Sequence, residues 1–279
     1  MTSCILTIIK DEQLYLDEFI KYHLGLGIDH IFIFEDCTSS SHKSITDNYS
    51  TEKVTLLNIL DCWDTQEERD RIYYHRTHLF KMQNRYLKRS LLYIKNNYKY
   101  DWCFVIDVDE YITIENNDKL NNILNEFIDY DAIILYWENY GANGLIYKPD
   151  YNKKGIIETY TKVANNQKSD INRNIIKTVY NLSTYTNDSY GSQHYPNFKT
   201  NWCNTNLIKD LKKPTYNKIY IRHYITKSWE EYVTKIKLRG MFFWHHRKLE
   251  SFFDINEDMI DKKEELLNLV DNIIKKEQS

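Results

Sequence analysis

The sequence predicts an α/β fold around a mostly parallel central sheet flanked by helices, with an irregular C-terminal half. Short apolar runs alternate with helical patterns through the first half of the 279 residues, which is how parallel sheets are built. The hydrophobic fraction of 42% allows a sizeable core. Neither an internal repeat nor a Pro/Ser/Gly-rich linker interrupts the chain, so it reads as a single domain, 1–279.

The elements follow in order. "SCILTII" is a first strand, and in "KDEQLYLDEFIKYHLGLG" Leu14, Phe19, Tyr22, His23 and Leu26 approximate a helical stripe closing at Gly25 and Gly27. "HIFIFED" and "VTLLNIL" are further strands, and a long helical pattern runs from about Gln66 to Asn97. "CFVIDVDEYITI" reads as a central strand, "DKLNNILNEFI" as a helix and "YDAIILYWENYG" as a strand closing at Gly141. Beyond it the pattern loosens: short strands are predicted at "GIIETYTKV" and "IIKTVYNL", and a loop from Asn187 to Asn206. "KSWEEYVTKIKLRG" predicts a helix capped by Ser228, with Glu231 completing a capping box. An amphipathic helix from Asp258 to Gln278 would bury Ile260, Leu267, Val270 and Ile274.

Formal net charge is −3, and lysines alternate with acids instead of forming a block, which argues against nucleic-acid binding. No segment approaches the roughly 18 apolar residues of a membrane span, and "MTSCILTIIKDEQ" has no secretory pattern. The expectation is a soluble, cytoplasmic protein, at most peripheral to a membrane. Cys4, Cys37, Cys62, Cys103 and Cys203, an odd number at wide spacing, are expected as reduced thiols in the core.

The acids of "DWCFVIDVDEYI" carry the chemistry. In an extended chain residues two apart point to one side, so Asp107 and Asp109 would present their carboxylates together while Val108 faces the core. In open parallel sheets ligands gather at the carboxyl ends of strands, where this D-V-D falls. Hard oxygen ligands suit Mg²⁺ or Mn²⁺, whose remaining positions are filled by phosphate oxygens and water, so the implied substrate carries a diphosphate. The plain alternative is a turn or cap residue. Glu110 is read as supporting this pair.

Four blocks of the sequence resemble glycosyltransferases of the GT-A superfamily, in the GT2-like group that includes family 92. "LTIIKDEQLYLDEFIKYHLGLGIDHIFIFED" resembles the group's opening pattern, and "DWCFVIDVDEYI" its W-x-x-x-x-D-x-D-E-F. "WENYGANG" resembles W-x-x-F-G-S-S-G, and "IRHYITKSWEEYVTKIKLRG" resembles H-Y-x-x-K-S-x-E-E-F-x-x-K. Asp11 replaces the usual Asn, and "YGANG" is looser than its counterpart.

The resemblance implies a GT-A (Rossmann-like) fold with a nucleotide-binding half at 1–115, an acceptor-side half at 116–245 and a C-terminal helix at 246–279. It implies that Asp107 and Asp109 hold Mn²⁺ or Mg²⁺ against a nucleotide-sugar diphosphate, with His223 completing the metal or diphosphate site. Thr7, Lys10, Asp11, Glu12 and Asp36 would contact the nucleoside, Gln83 and Arg85 the substrate pocket, and Lys227 the diphosphate leaving group. The implied reaction is inverting transfer from a nucleotide-diphosphate sugar, UDP favoured, to a hydroxyl of a glycan or glycoprotein acceptor. Inversion requires a general base; Glu158 and Glu138, each read as following a strand on the acceptor side, are the candidates, Glu158 ahead of Glu138, with Asp188 and His194 left open.

His75 and His78 at i, i+3 spacing read as helix surface, and His245 and His246 as packing beside aromatics. A nucleotidyltransferase would use the same acids, but "KDEQ" stands where a glycine-rich phosphate loop belongs. A metal-free glycoside hydrolase needs its acids on opposite sides of the bond. A non-catalytic carbohydrate-binding protein on the same scaffold is the remaining alternative.

Overall fold

A computed structural model of the chain describes residues 1–35, 42–62, 79–164, 176–211, 213–237 and 248–278. Asp36, Cys37, His75, His78, His245 and His246 lie outside them. Strands β1 (Ser3–Ile9), β2 (His30–Glu35), β3 (Val54–Asn58) and β4 (Trp102–Val105) pair in parallel, with β1 between β2 and β4. Both β1 and β2 are almost wholly buried, as strands covered on two faces must be.

Helix α1 (Gln13–Leu26) joins β1 to β2 and buries Tyr15, Leu16, Phe19, Ile20 and His23. The expected stripe is therefore rotated: Leu14 is exposed, because Tyr15 and Leu16 sit four residues before Phe19 and Ile20 and share their face. Gly27 ends the helix at φ 106, where a side chain would be strained. Four-residue helix α2 (Lys43–Thr46) precedes β3, and α3 (Leu79–Asn97) is the described part of the long helical pattern.

A parallel sheet is only half of the architecture. After β5 (Glu110–Ile114), helix α4 (Leu120–Asn125) and β6 (Ala132–Asn139), strand β7 (Ile176–Asn181) inserts antiparallel between β4 and β6. With β8 (Trp202–Asn204) and β9 (Ile219–His223) the strand order is β3-β2-β1-β4-β7-β6-β9-β5, and β8 pairs in parallel with β6. Strand β8 lies inside the segment expected to be all loop. The fold is thus mixed α/β with a mostly parallel sheet.

Strand β5 closes one edge, and α1 satisfies part of it. Tyr22 donates its hydroxyl to the Ile112 carbonyl at 2.8 Å, while the Ile112 N–H donates to His23 Nε2 at 3.2 Å. Since His23 Nδ1 lies 2.8 Å from the Phe19 carbonyl, the ring donates there and accepts at Nε2. Burial pushes its pKa down to about 3, so it stays neutral.

The chain forms two compact units. The first comprises Met1–Tyr136 and Ile176–Ile221, the second Trp137–Ile175 and Arg222–Ser279. In the second, "GIIETYTKV" forms the single turn α5 (Ile156–Thr159) instead of a strand. Helix α6 (Trp229–Lys237) carries the expected capping box: Glu231 N–H donates to Ser228 Oγ at 3.3 Å, and Ser228 N–H to Glu231 Oε2 at 3.1 Å.

The C-terminal segment is not one helix. Helix α7 (Ser251–Ile255), a 3-10 stretch (Glu257–Lys262), α8 (Lys263–Asn268) and α9 (Val270–Gln278) follow one another. Met259, Leu266, Val270 and Ile273 are buried against Trp229, Tyr232 and Phe252, and Ile260 is exposed. The inward positions precede three of the expected ones by one residue. Gly141 is fixed by this packing, because a Cβ there would meet Asn256 Oδ1 at 2.7 Å, and that oxygen accepts the Ala142 N–H. Cys4, Cys62, Cys103 and Cys203 are buried free thiols. Among the described residues no helix is long and apolar enough to cross a membrane.

Candidate active site

Asp107 and Asp109 do not share one side of an extended strand. Strand β4 stops at Val105 and β5 begins at Glu110; between them the chain turns, closed by the Glu110 N–H donating to the Asp107 carbonyl at 3.0 Å. This correction has a topological cause, since β4 is central and β5 lies at the sheet edge. A chain leaving one position for another cannot stay extended through the D-V-D.

The turn gathers acids around one ammonium. Lys177, on β7 and completely enclosed, places Nζ 2.7 Å from Asp107 Oδ2 and 3.2 Å from Glu110 Oε1. It also donates to Gln193 Oε1 at 3.1 Å. Glu110 is equally enclosed, and its Oε2 accepts the Asp107 N–H at 3.0 Å. Asp109 is buried, whereas the Asp107 side chain keeps 38% of its exposure.

Charge follows from these distances. Burial pushes the Asp107 carboxyl up and the Asp109 charge adds to that, but Lys177 brings it below the usual range. Burial raises Glu110 well above a normal glutamate despite Lys177. Burial pulls Lys177 down, yet Asp107 and Glu110 hold it above an ordinary lysine, so it is a cation.

His194 belongs to this site. Its Nδ1 donates to the Ile176 carbonyl at 2.8 Å, and its Nε2 accepts from Gln193 Nε2 at 3.2 Å. Sequence reading left His194 open and missed Lys177 and Gln193. A signal for Lys177 was present: it interrupts the apolar run "IIKTVY", and a lysine in a fully buried strand needs an acid.

Lys10, Asp11 and Glu12 follow the end of β1, with Asp11 in the left-handed region at φ 55. The Glu12 N–H donates to His42 Nε2 at 3.2 Å, so His42 Nδ1 donates to Glu35 Oε2, 3.1 Å away at the end of β2. Two strand ends are tied together through a buried histidine that sequence reading passed over. Thr7 is enclosed within β1, and its Oγ1 has no hydrogen-bond partner among the described residues. Arg85 is exposed on α3; Gln83 is on that helix with its side chain outside the described set. Asp188 is exposed, in the first unit.

In the second unit Glu138, three-quarters buried, accepts from Tyr140 Oη at 2.9 Å and lies 4.0 Å from Arg222 Nε. Glu158 is exposed on α5, so the premise that it follows a strand fails. His223 is buried, its ring centroid 4.2 Å from that of Trp137, and its carbonyl accepts the Tyr140 N–H at 2.8 Å. Lys227 is buried, with left-handed backbone at φ 54 just before the Ser228 cap.

Comparison with known proteins brings one strong match. The family model described as Glycosyltransferase family 92 matches residues 1–276. No curated protein matches. Among solved structures, residues 1–349 of S. aureus TarS are 10% identical at a TM-score of 0.35, covering 90% of this chain and 68% of that one. HddC from Yersinia pseudotuberculosis is 9% identical at a TM-score of 0.36, covering 74% of this chain and 91% of that one. A 4-diphosphocytidyl-2C-methyl-D-erythritol synthase from Anaerococcus prevotii is 8% identical at 0.31, covering 65% and 72%.

Proposed function

Because this chain belongs to glycosyltransferase family 92, we propose that it transfers a sugar, with inversion, from a nucleotide diphosphate to an acceptor hydroxyl in a cation-dependent reaction. A glycosyltransferase of this family implies a nucleotide-sugar donor and a glycan acceptor; a uridine donor and a glycan or protein-linked hydroxyl are the finer reading. The observation that carries the cation dependence is the acidic turn of Asp107, Asp109 and Glu110, set against the Lys177 ammonium.

The donor set fits a hard divalent ion. Its protein ligands are carboxylate oxygens, the Asp107 side chain retains access to solvent, and no cysteine thiol competes within the turn. Asp107 and Asp109 would hold Mn²⁺ or Mg²⁺, and His223 joins the proposal on the strength of its motif block alone. A bound ion would supply Lewis-acid stabilisation of the departing diphosphate.

The remaining roles fall to the chain's own groups. Lys10, Asp11 and Glu12 would orient the nucleoside at the end of β1, with the Glu12 N–H held through His42 and Glu35. Lys227 would add positive charge for the leaving group. For the base we favour Glu138 over Glu158, because Tyr140 and Arg222 restrict its orientation, whereas Glu158 stands exposed on a single turn.

The test is transfer and donor hydrolysis across a panel of nucleotide sugars, with chelator and then with added ions. EDTA is expected to remove activity, and Mn²⁺ or Mg²⁺ to restore it better than Zn²⁺. Full turnover in chelator sinks the cation dependence. Absence of turnover with every donor, alongside tight glycan binding, would favour a carbohydrate-binding role.

A further inference from the structure

The acidic turn contains a charge that its motif does not call for. Lys177 is fully enclosed, and a buried ammonium is stable only when its donors are satisfied and its charge is balanced. Its ammonium donates to Asp107 at 2.7 Å and to Gln193 at 3.1 Å, and it forms an ion pair with Glu110 at 3.2 Å. The strand register explains its reach. Phe104 of β4 pairs with Val179 of β7, so Lys177 lies two residues farther along β7, past the last residues of β4, where the turn begins.

We propose that Lys177 is the resident counter-ion of this turn: it assembles Asp107 and Glu110 before any ligand arrives, and it holds down the affinity of the turn for a divalent cation. This rests on the reading of the turn as a cation site. Asp107 is common to both partners, since the oxygen facing Lys177 belongs to the carboxylate that the cation would engage. An ammonium and a divalent ion drawn to one carboxylate oppose one another, and linkage requires that removing the first strengthen the second. Gln193 keeps Lys177 from withdrawing, because its Oε1 accepts from the ammonium while its amide nitrogen is engaged by His194. Lys177 is therefore a positioning residue, acting on the cation through Asp107.

Calorimetric titration with Mn²⁺ alone, on wild type, Lys177→Met and Lys177→Arg, tests this. Lys177→Met is expected to bind Mn²⁺ about tenfold more tightly than wild type, while Lys177→Arg, which keeps the charge, stays within about threefold. A residue that merely supported the fold would weaken binding when removed, so equal or weaker binding by Lys177→Met overturns the inference. If Lys177→Met fails to fold, the double variant Lys177→Met/Glu110→Gln, which removes the fully enclosed Glu110 charge together with its cation, is compared with Glu110→Gln under the same expectation. Should wild type itself take up no Mn²⁺, the cation reading falls and this inference with it. Should wild type bind and the variants bind no tighter, only the counter-ion role falls.

Discussion

Glu110, opening β5, and Glu231, in the first turn of α6, are both buried carboxylates drawn from recognisable motif blocks, yet their partners differ in kind. Glu231 accepts from neutral donors: Tyr151 Oη at 2.6 Å, Tyr160 Oη at 2.8 Å, Ser228 Oγ at 2.6 Å and the Ser228 N–H at 3.1 Å. Burial and the Glu231 charge raise the Tyr160 pKa, which keeps that hydroxyl a donor. Glu110 faces one ammonium that it shares with Asp107, and Asp109 adds a third carboxylate nearby. A carboxylate held by hydroxyls and a backbone N–H is tied into the fold. Carboxylates that share an ammonium and lie close enough to raise one another's pKa respond to protons or to an arriving cation. Partner chemistry separates structure from function where motif membership does not.

The sharpest break of this contrast is Asp109→Asn, which removes one charge at constant volume. Transfer is expected to fall by roughly 10²–10³-fold, as when one transition-state contact is lost. The melting temperature should stay near wild type, and steady-state kinetics beside a thermal melt checks both. A variant with wild-type turnover at subsaturating Mn²⁺ would detach the turn from catalysis.

Glu231→Ala should show the opposite pattern. Two tyrosine hydroxyls and the Ser228 cap lose their acceptor, which costs about 2–4 kcal/mol of stability. Denaturant unfolding measures this, and turnover per folded molecule should survive. A catalytic defect without destabilisation would abolish the distinction.

His23 extends the structural class to a titrating group. Its folded pKa of about 3 lies below the unfolded value near 6.5, so the unfolded chain binds more protons between them. The stabilisation is fully present above about pH 6.5 and is lost as pH falls toward 3, at up to about 1.4 kcal/mol per pH unit. His30, lowered mainly by burial, acts with the same sign. His23→Gln should flatten the slope of unfolding free energy between pH 6.5 and 4; an unchanged slope would mean that His23 is protonated in the fold.

The smallest expected effect distinguishes the two base candidates. Glu138→Gln should lower kcat by about 10²-fold, whereas Glu158→Gln should alter it less than about twofold. Reversal of that order returns the base to the exposed turn.

Local pattern made much of this legible. The β-α-β opening, the strand "IIKTVYNL" and the Ser228–Glu231 box all depend on neighbours in sequence, and each is present. What escaped depends on pairing across the chain. Reading Asp107 and Asp109 as one extended side assumed that β4 continued, but the turn exists because the next strand joins a distant edge. Lys177 became part of the site through antiparallel register with β4, and His42 through hydrogen bonds to Glu12 and Glu35, thirty and seven residues away. The Ile260 stripe failed for a local reason, since Met259–Ile260, Leu266–Leu267 and Ile273–Ile274 are adjacent apolar pairs and pattern alone does not choose which member faces inward.

The backbone of Lys227 carries an evolutionary consequence. A lysine at φ 54 costs about 1–2 kcal/mol relative to residues at ease there, and glycine at the same position would remove that cost. Backbone strain therefore favours replacing Lys227, and what opposes it is the side chain, through its packing or through the leaving-group role proposed above. If Lys227 serves the leaving group as proposed, then in a lineage released from the need to transfer sugar this position should decay to glycine or asparagine early, while the Ser228–Glu231 capping box beside it should persist. A descendant chain that keeps its capping box but has lost its strained lysine would mark a scaffold that outlived its reaction.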